Sequence, residues 1–468
     1  MKRVYMFIAL AALLLGGTLP AAAAAIKFEA SGFWHAAFIL DHDLDFDGET
    51  TEDSFYGANR LRILFSAQAG EHVKGNWEFQ GGTWEWGASG EDTAYGEGGD
   101  ARLDTSSQDL KTRLAWLDVT IPDTETTVSA GIVQLTLPNA VAGNPVFDDR
   151  VGGVIVNSAL SEEVKLSAFW VRPFFSPRSD KQSHYNSMDL FGVFAEAALG
   201  TGWVSPYFVY GEAGHRADQG DFDFAWAHGP EDSSSPNGYA DDNKKTILLF
   251  GGLALELSPA ENLSLKLDAI YGNAKNPSKD AYETEGYMLA LGVDYELEFG
   301  TPGLIAWYSS GANRNGQGVL PVIGTDGGVG YTRLGMAGTA SLGADSLITN
   351  TAVGTTGLAL QVADISFLES LSHTVRLGYI LGTNHKEAGD PEIDGEDFAL
   401  YGISRELSFV ELDFDTTYEL VENFSALLEL SYVIPMARGD FKRGYKNEHD
   451  NKTPDNAFNG QLYLMFDF

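Results

Sequence analysis

The 468-residue sequence contains no cysteine. Disulfide frameworks and thiolate metal sites are therefore excluded. Basic residues are scarce: 30 Lys and Arg stand against 66 Asp and Glu, a formal net charge of −36. That balance argues against a nucleic-acid partner, because phosphate binding needs clustered cations. Long apolar runs are missing beyond the N-terminus. No later stretch reads as a membrane helix, which takes roughly 20 apolar residues. Catalytic signatures are missing too. There is no H-E-x-x-H, no G-x-S-x-G and no Walker loop. Gly324 to Gly330 (GTDGGVG) is Gly-rich but lacks the Lys and the strand–helix context of a phosphate loop. No enzymatic activity is expected.

Glycine (53 residues) and aromatics (12%) are plentiful, a mixture that suits many strands joined by tight turns. The N-terminus, MKRVYMFIALAALLLGGTLPAAAAA, has a charged start at Lys2 and Arg3. An apolar run from Val4 to Leu15 and small residues from Ala21 to Ala25 follow. Residues 1–25 read as an export signal peptide. A membrane anchor is the alternative, disfavoured because the run is short. Residues 26–468 show no domain boundary.

Within that region the dominant pattern is alternation, which marks strands with one apolar and one polar face. The last residues, AFNGQLYLMFDF, place Phe458, Leu462, Leu464, Phe466 and Phe468 on one face. Asn459, Gln461, Tyr463 and Asp467 lie on the other. Val410 to Leu420 opposes Glu411, Asp413 and Asp415 to aliphatic neighbours, and Phe424 to Ile434 does the same with Glu429. Lys111 to Ile121 changes phase near Trp116 to Asp118, which a bulge would explain. Trp203 to Glu212 is apolar on both faces, as at a subunit interface. The whole gives 18 strands: 26–40, 57–69, 74–87, 108–121, 126–136, 151–158, 163–172, 187–199, 203–212, 245–258, 262–272, 284–299, 303–310, 353–366, 371–383, 406–420, 423–434 and 457–468. Sixteen is the alternative if one weak hairpin is loop. Short and long connections alternate strictly, as in outer-membrane barrels. The expected fold is all-β: a transmembrane antiparallel β-barrel, wide enough for an aqueous channel.

With a signal peptide, alternating strands and a terminal aromatic, the chain resembles the trimeric porins of Gram-negative outer membranes. FEASGFWHAAF, ARLDTSSQDLKTRLAWLDVTIPDTETTVSAGIVQLTLP and GNPVFDDRVGGVIVN look like the homotrimeric porins of sulfate-reducing bacteria. The resemblance implies a third external loop folded into the pore, here Leu137 to Arg150, carrying Asp148, Asp149 and Arg150. It also implies a facing basic wall, for which Arg60, Arg62, Lys111 and Arg113 lie in the lumen phase. Arg172 and Arg376 are further candidates. The alternative is that these cations only keep the lumen polar or pair with Glu78. Phe468 matches the signal read by the barrel-assembly machinery. Implied partners are the lipid bilayer, lipopolysaccharide, two further copies of the chain and small hydrophilic solutes.

Asp43, Asp45 and Asp47 match the first half of a calcium loop, but position 12 is Ser54 instead of Glu. A solvated acidic loop is the alternative, and no other cofactor is expected. Trp34, Trp77, Trp84, Trp86, Trp203, Tyr207 and Trp307 suit interfacial girdles or, alternatively, a sugar slide. Glu411, Asp413, Asp415 and Glu429 are expected to face the lumen and favour cations there. The expected function is passive diffusion of small hydrophilic solutes and ions across the outer membrane through a charged constriction. The rivals are a channel specific for a sugar or an anion, and an exported soluble all-β enzyme or adhesin.

Overall fold

A computed structural model describes residues 26–44, 46, 53–87, 110–175, 187–214, 245–275, 283–314, 317–325, 328–339, 342–344, 346–385, 403–437 and 455–468. The proposed signal peptide and Asp45 and Asp47 of the acidic motif lie outside these residues.

Strands β1 (Ile26–His42), β2 (Ser54–Ala69), β3 (Val73–Glu85), β4 (Leu110–Thr120), β5 (Thr126–Thr136) and β6 (Phe147–Ala159) open the chain. They are followed by β7 (Val164–Phe175), β8 (Ser187–Ala198), β9 (Gly202–Ala213), β10 (Thr246–Ala260), β11 (Leu263–Lys275), β12 (Glu283–Tyr295) and β13 (Thr301–Ser309). The two-residue β14 (Gly324–Thr325) precedes β15 (Thr355–Leu368), β16 (Leu371–Gly382), β17 (Leu407–Val421), β18 (Phe424–Ala437) and β19 (Ala457–Asp467).

All 19 strands belong to one sheet. Sequential neighbours pair antiparallel, β13 pairs with β15, and β1 pairs with β19 from Phe33↔Asp467 to His42↔Phe458. Setting β14 aside, the ring is a closed 18-strand antiparallel barrel. Each expected strand is present with its ends displaced by at most four residues, the largest shifts being β6, which begins at Phe147 rather than at 151, and β12, which ends at Tyr295 rather than at 299.

Alternation sorts the side chains. On β12, Tyr287, Leu289, Leu291 and Tyr295 point outward and are exposed, while Met288 and Ala290 are buried inward. Tyr287 and Tyr295 are eight residues apart, about 27 Å along a strand at about 3.4 Å per residue. Tilted by roughly 40°, that segment spans about 20 Å, close to the apolar band of outer-membrane barrels. The same exposed face carries Phe28, Trp34, Phe65, Trp77, Phe208, Leu358, Leu412, Leu462 and Phe466. An apolar belt around a whole barrel is not a surface that water tolerates.

The inner face is more varied. On β2 and β3 it is polar: Ser66 donates to Asn76 (2.8 Å), and Asn76 donates to Asp118 (2.8 Å). From β7 round to β13 it is apolar, with Val171, Leu190, Val209, Leu248, Phe250, Ile270 and Met288 buried. These side chains pack against two connections folded into the lumen, residues 137–146 and the described residues of 310–354. The two-faced apolarity of β9 therefore has an internal cause. Tyr207 and Val209 face this packing and Phe208 faces outward, so no subunit interface is needed to explain it.

Candidate pore constriction

The site begins with a hairpin that leaves the wall. β5 pairs with β4 only as far as Ile132, and β6 pairs with β7 only from Gly152. Beyond that level the two strands leave their wall neighbours and pair with each other, from Val133↔Val151 to Thr136↔Asp148. Gly131 and Gly153 are direct partners at the point of departure. Gly131 has φ +143°, and a Cβ there would lie 2.2 Å from the Ala115 carbonyl oxygen. Only glycine fits so close an approach of backbones.

The freed tip reaches across the lumen. Backbone N–H groups of Ala140 and Val141 donate to the two oxygens of Asp268 on β11, at 2.7 and 2.9 Å. Asn144 donates to Tyr207 Oη on β9 (3.3 Å). The tip is amphipathic. Val133, Leu135, Phe147 and Val151 are buried in the apolar cluster. The other face carries Gln134, Thr136, Asp148 and Arg150, with Asp148 accepting from Gln134 (2.9 Å) and Thr136 (2.5 Å).

The expected third loop thus folds inward, but its bounds differ. The loop is 137–146, and Asp148, Asp149 and Arg150 are strand residues of β6. The resemblance put these residues in the loop, yet pairing with β5 and the Phe147–Val151 alternation hold them extended. Alternation also separates them. Asp148 and Arg150 lie on the polar face, whereas Asp149 points with Phe147 and Val151. A Cβ on Gly324 would sit 3.2 Å from its Oδ2.

The four expected cations are gathered by register. Arg62 on β2 stands opposite Gln80 on β3, and Gln80 stands opposite Lys111 on β4. Strands lie about 4.8 Å apart, so Arg62 and Lys111 are separated by about 10 Å of backbone. Arg60 is the next residue on the same face. It donates to Thr83 Oγ1 (3.1 and 2.6 Å), and Arg62 donates to Gln80 Oε1 (2.7 Å) and lies 5.5 Å from the Phe33 ring. Arg113 pairs with Glu78 at 2.8 Å. The bulge on β4 falls at Arg113, which has no counterpart between Glu78↔Leu114 and Phe79↔Thr112. This is slightly earlier in the strand than the sequence suggested. It turns both Lys111 and Arg113 to the lumen.

Other expectations separate. Arg376 faces inward, 3.9 Å from Asp413. Arg172 shares the face of Trp170 and exposed Phe191, opposite buried Val171, and pairs with Asp189 at 2.8 Å. It is therefore not a lumen residue. Trp307 and Tyr207 are buried inward, so they join neither girdle, whereas Trp34, Trp77 and Trp86 are exposed outward. Asp43 is buried at the loop end of β1. Among the described residues no group of three His, Asp or Glu is arranged to hold a metal ion. Phe468 extends the closing seam: its N–H donates to Gly32 (2.9 Å) and its carbonyl accepts from Gly32 (2.7 Å).

Sequence reasoning missed a second inward segment, because Gly311 to Ala352 reads only as a long polar connection. Leu320 lies over Gly272 and Gly286, Thr284 donates to the Val319 carbonyl, and β14 pairs parallel with β6. Gly330 N–H donates to the Ala142 carbonyl (3.0 Å), tying the two inner segments together. Tyr331 packs on Trp307, and burial, with the Asp268 charge adding to it, pushes its phenol well above its ordinary value. Arg333 reaches β18 and β19. Beneath it lie Glu411, Asp413 and Glu429, all buried. These acids face inward as expected, but they are covered by this segment and do not line open water. The available signal was composition: Val319, Leu320, Ile323, Val329, Leu334 and Met336 are too many apolar residues for a loop in solvent.

No protein-family model and no curated protein matches the sequence. Solved structures do match. Among them, OprD of Pseudomonas aeruginosa, described as an outer membrane protein, is 13% identical, with 94% of this chain and 95% of that one covered at a TM-score of 0.53. OccAB4 of Acinetobacter baumannii is 12% identical over 94% and 98% of the two chains, also at 0.53. Pseudomonas aeruginosa OpdL is 13% identical over 94% and 98%, at 0.52. At this identity the likeness is one of fold, and it identifies the chain as an 18-strand barrel of the architecture seen in Pseudomonas outer membrane protein OprD.

Proposed function

We propose that this protein is a passive channel of the Gram-negative outer membrane for small hydrophilic solutes and ions. The observation that carries the reading is the combination of a lipid-compatible outer belt with a lumen narrowed by the inward β5–β6 hairpin beside a basic wall. Charges held in a confined, partly dry passage act over the whole aperture, orienting dipolar solutes and biasing ion passage. Thr83 and Gln80 accept from Arg60 and Arg62 and help position these guanidinium groups on the wall. Asp148 on the polar face of the hairpin supplies an opposing charge, and Arg150 on the same face adds a cation.

A second reading, a channel selective for anionic solutes, is favoured by the clustering of Arg60, Arg62 and Lys111 on adjacent strands. Planar-bilayer recording in a salt gradient tests both. The general reading expects ohmic current without saturation. The selective reading expects an anion-biased reversal potential and block by the preferred anion. Arg60→Glu with Arg113→Glu is expected to move the reversal potential toward cations, and an unchanged value would remove the basic wall from the constriction.

Residues 1–25 serve export in this proposal, and Phe468 serves recognition by the assembly machinery. The belt meets lipid and the loop end meets lipopolysaccharide. Trimerisation rests on the sequence resemblance alone, and a monomer on sedimentation in detergent would sink it. Calcium binding by Asp43, Asp45 and Asp47 is the weakest element, and isothermal titration with calcium tests it.

A further inference from the structure

We propose that Arg333 is a latch that holds residues 328–339 against the inner wall as a displaceable plug, and so sets the pore aperture. Arg333 is fully buried. Its Nε donates to Ser431 Oγ (2.6 Å) on β18, and its Nη2 donates to Asn459 Oδ1 (2.7 Å) and to the Asn459 carbonyl (3.3 Å) on β19. Its Nη1 lies 3.6 Å from Glu429 Oε2 and makes no hydrogen bond. The neighbouring backbone is clasped by acids on β17. Asp413 accepts from the Arg333 N–H (3.3 Å), and Glu411 accepts from those of Leu334 (2.7 Å) and Gly335 (3.2 Å). The Arg333 side chain thus meets one buried carboxylate, Glu429, while the backbone of residues 333–335 caps Asp413 and Glu411, with Arg376 of the wall beyond Asp413.

Such a site has two tolerable states. With the plug seated by Arg333, Glu429 has a cation beside it, and Asp413 and Glu411 have backbone donors. Without it they are like charges held in a poor solvent, and burial becomes costly. Water from the lumen relieves that cost only if the plug lifts. The barrel wall does not depend on the plug, because β16–β17, β17–β18, β18–β19 and β19–β1 pair through their own backbones. Loss of the latch is therefore expected to open the lumen, leaving the barrel standing. The apolar half of the segment, around Leu320 and Ile323, stays on β11 and β12 as the hinge side.

The absence of native cysteine makes the test clean. Val433 faces inward on β18 and is fully buried. Val433→Cys is expected to resist a water-soluble maleimide in otherwise native protein reconstituted in vesicles. Adding Arg333→Ala is expected to speed labelling roughly 100-fold or more, the shift that uncovering a buried ion pair produces, and to raise single-channel conductance. Arg333→Lys is expected to lie between the two. Asn459→Ala, which keeps the charge and removes one acceptor, gives a milder variant should Arg333→Ala fail to assemble, and it too is expected to speed labelling. Fast labelling of Val433→Cys alone, or slow labelling in both latch variants, overturns the proposal. Faster labelling with unchanged conductance overturns the role in aperture. The conductance arm rests on the channel reading, but the labelling arm does not. Vesicles that pass no current while Arg333→Ala exposes the introduced thiol would therefore refute the channel and leave the latch standing.

Discussion

Single residues in this lumen do different work according to what covers them. Asp268 and Asp413 both point inward from the wall, and both accept backbone N–H groups from an inner segment. Neither is a free charge in a pore. Asp268→Asn keeps the shape but turns one acceptor into a donor facing an N–H. The cost is about 1–3 kcal/mol, typical of a buried hydrogen bond spoiled on one side. The expected result is a noisier open channel, because the tip at Ala140 and Val141 loosens, with the ion preference kept. A record as quiet as the native one would show that the hairpin is held by its apolar face alone. The cations were legible from alternation, since Arg60, Arg62, Lys111 and Arg113 shared one phase. Asp149 was not, because two adjacent acids read as a pair when strand geometry turns them to opposite faces.

At the scale of elements, the β5–β6 hairpin is the piece of the wall that turns into the lumen. Its lower part is wall, and its upper part is a two-stranded ribbon with one greasy face. The bend needs Gly131, whose φ of +143° and contact with the β4 backbone exclude a side chain. Gly131→Val is expected to cost at least about 1–3 kcal/mol in strained backbone. The folded, fast-migrating form should then be lost at a lower temperature on electrophoresis, whereas Gly152→Ala, where a Cβ meets nothing within 4 Å, should leave it unchanged. Equal behaviour of the two variants would show that the bend does not depend on the glycine. The strands themselves were readable because a period of two survives any context. The inner segment 310–354 was not, since its fold follows no period and is held by partners from β6 to β19.

For the whole molecule, the exposed apolar belt and the closed ring set what surroundings the chain accepts. Leu291, outward and near the middle of β12, belongs to the lipid side. Leu291→Arg is expected to destabilise the barrel by about 2–4 kcal/mol, as cations do at a bilayer midplane. Thr417→Arg, on the inner face of β17, is expected to cost little, because the lumen supplies water. Urea titration of folding into lipid vesicles measures both, and equal costs would remove the inside–outside assignment. Closure is visible in the last strand. Gln461 and Tyr463 turn inward and are buried, Leu462, Leu464 and Phe466 turn outward, and Gly32 meets Phe468 in a pair of backbone bonds.

The amino-acid sequence by itself determined the strands, the face that regularly alternating residues take, the alternation of short turns with long connections and the seam between first and last strand. These are local properties, written in a two-residue period and in turn length. Tertiary structure decided what each inward face meets. Arg333 bonds to Asn459, 126 residues away, and that contact is why acids that read as pore lining are roofed over. Periodicity reports which way a side chain points and carries no information about what folds back to cover it.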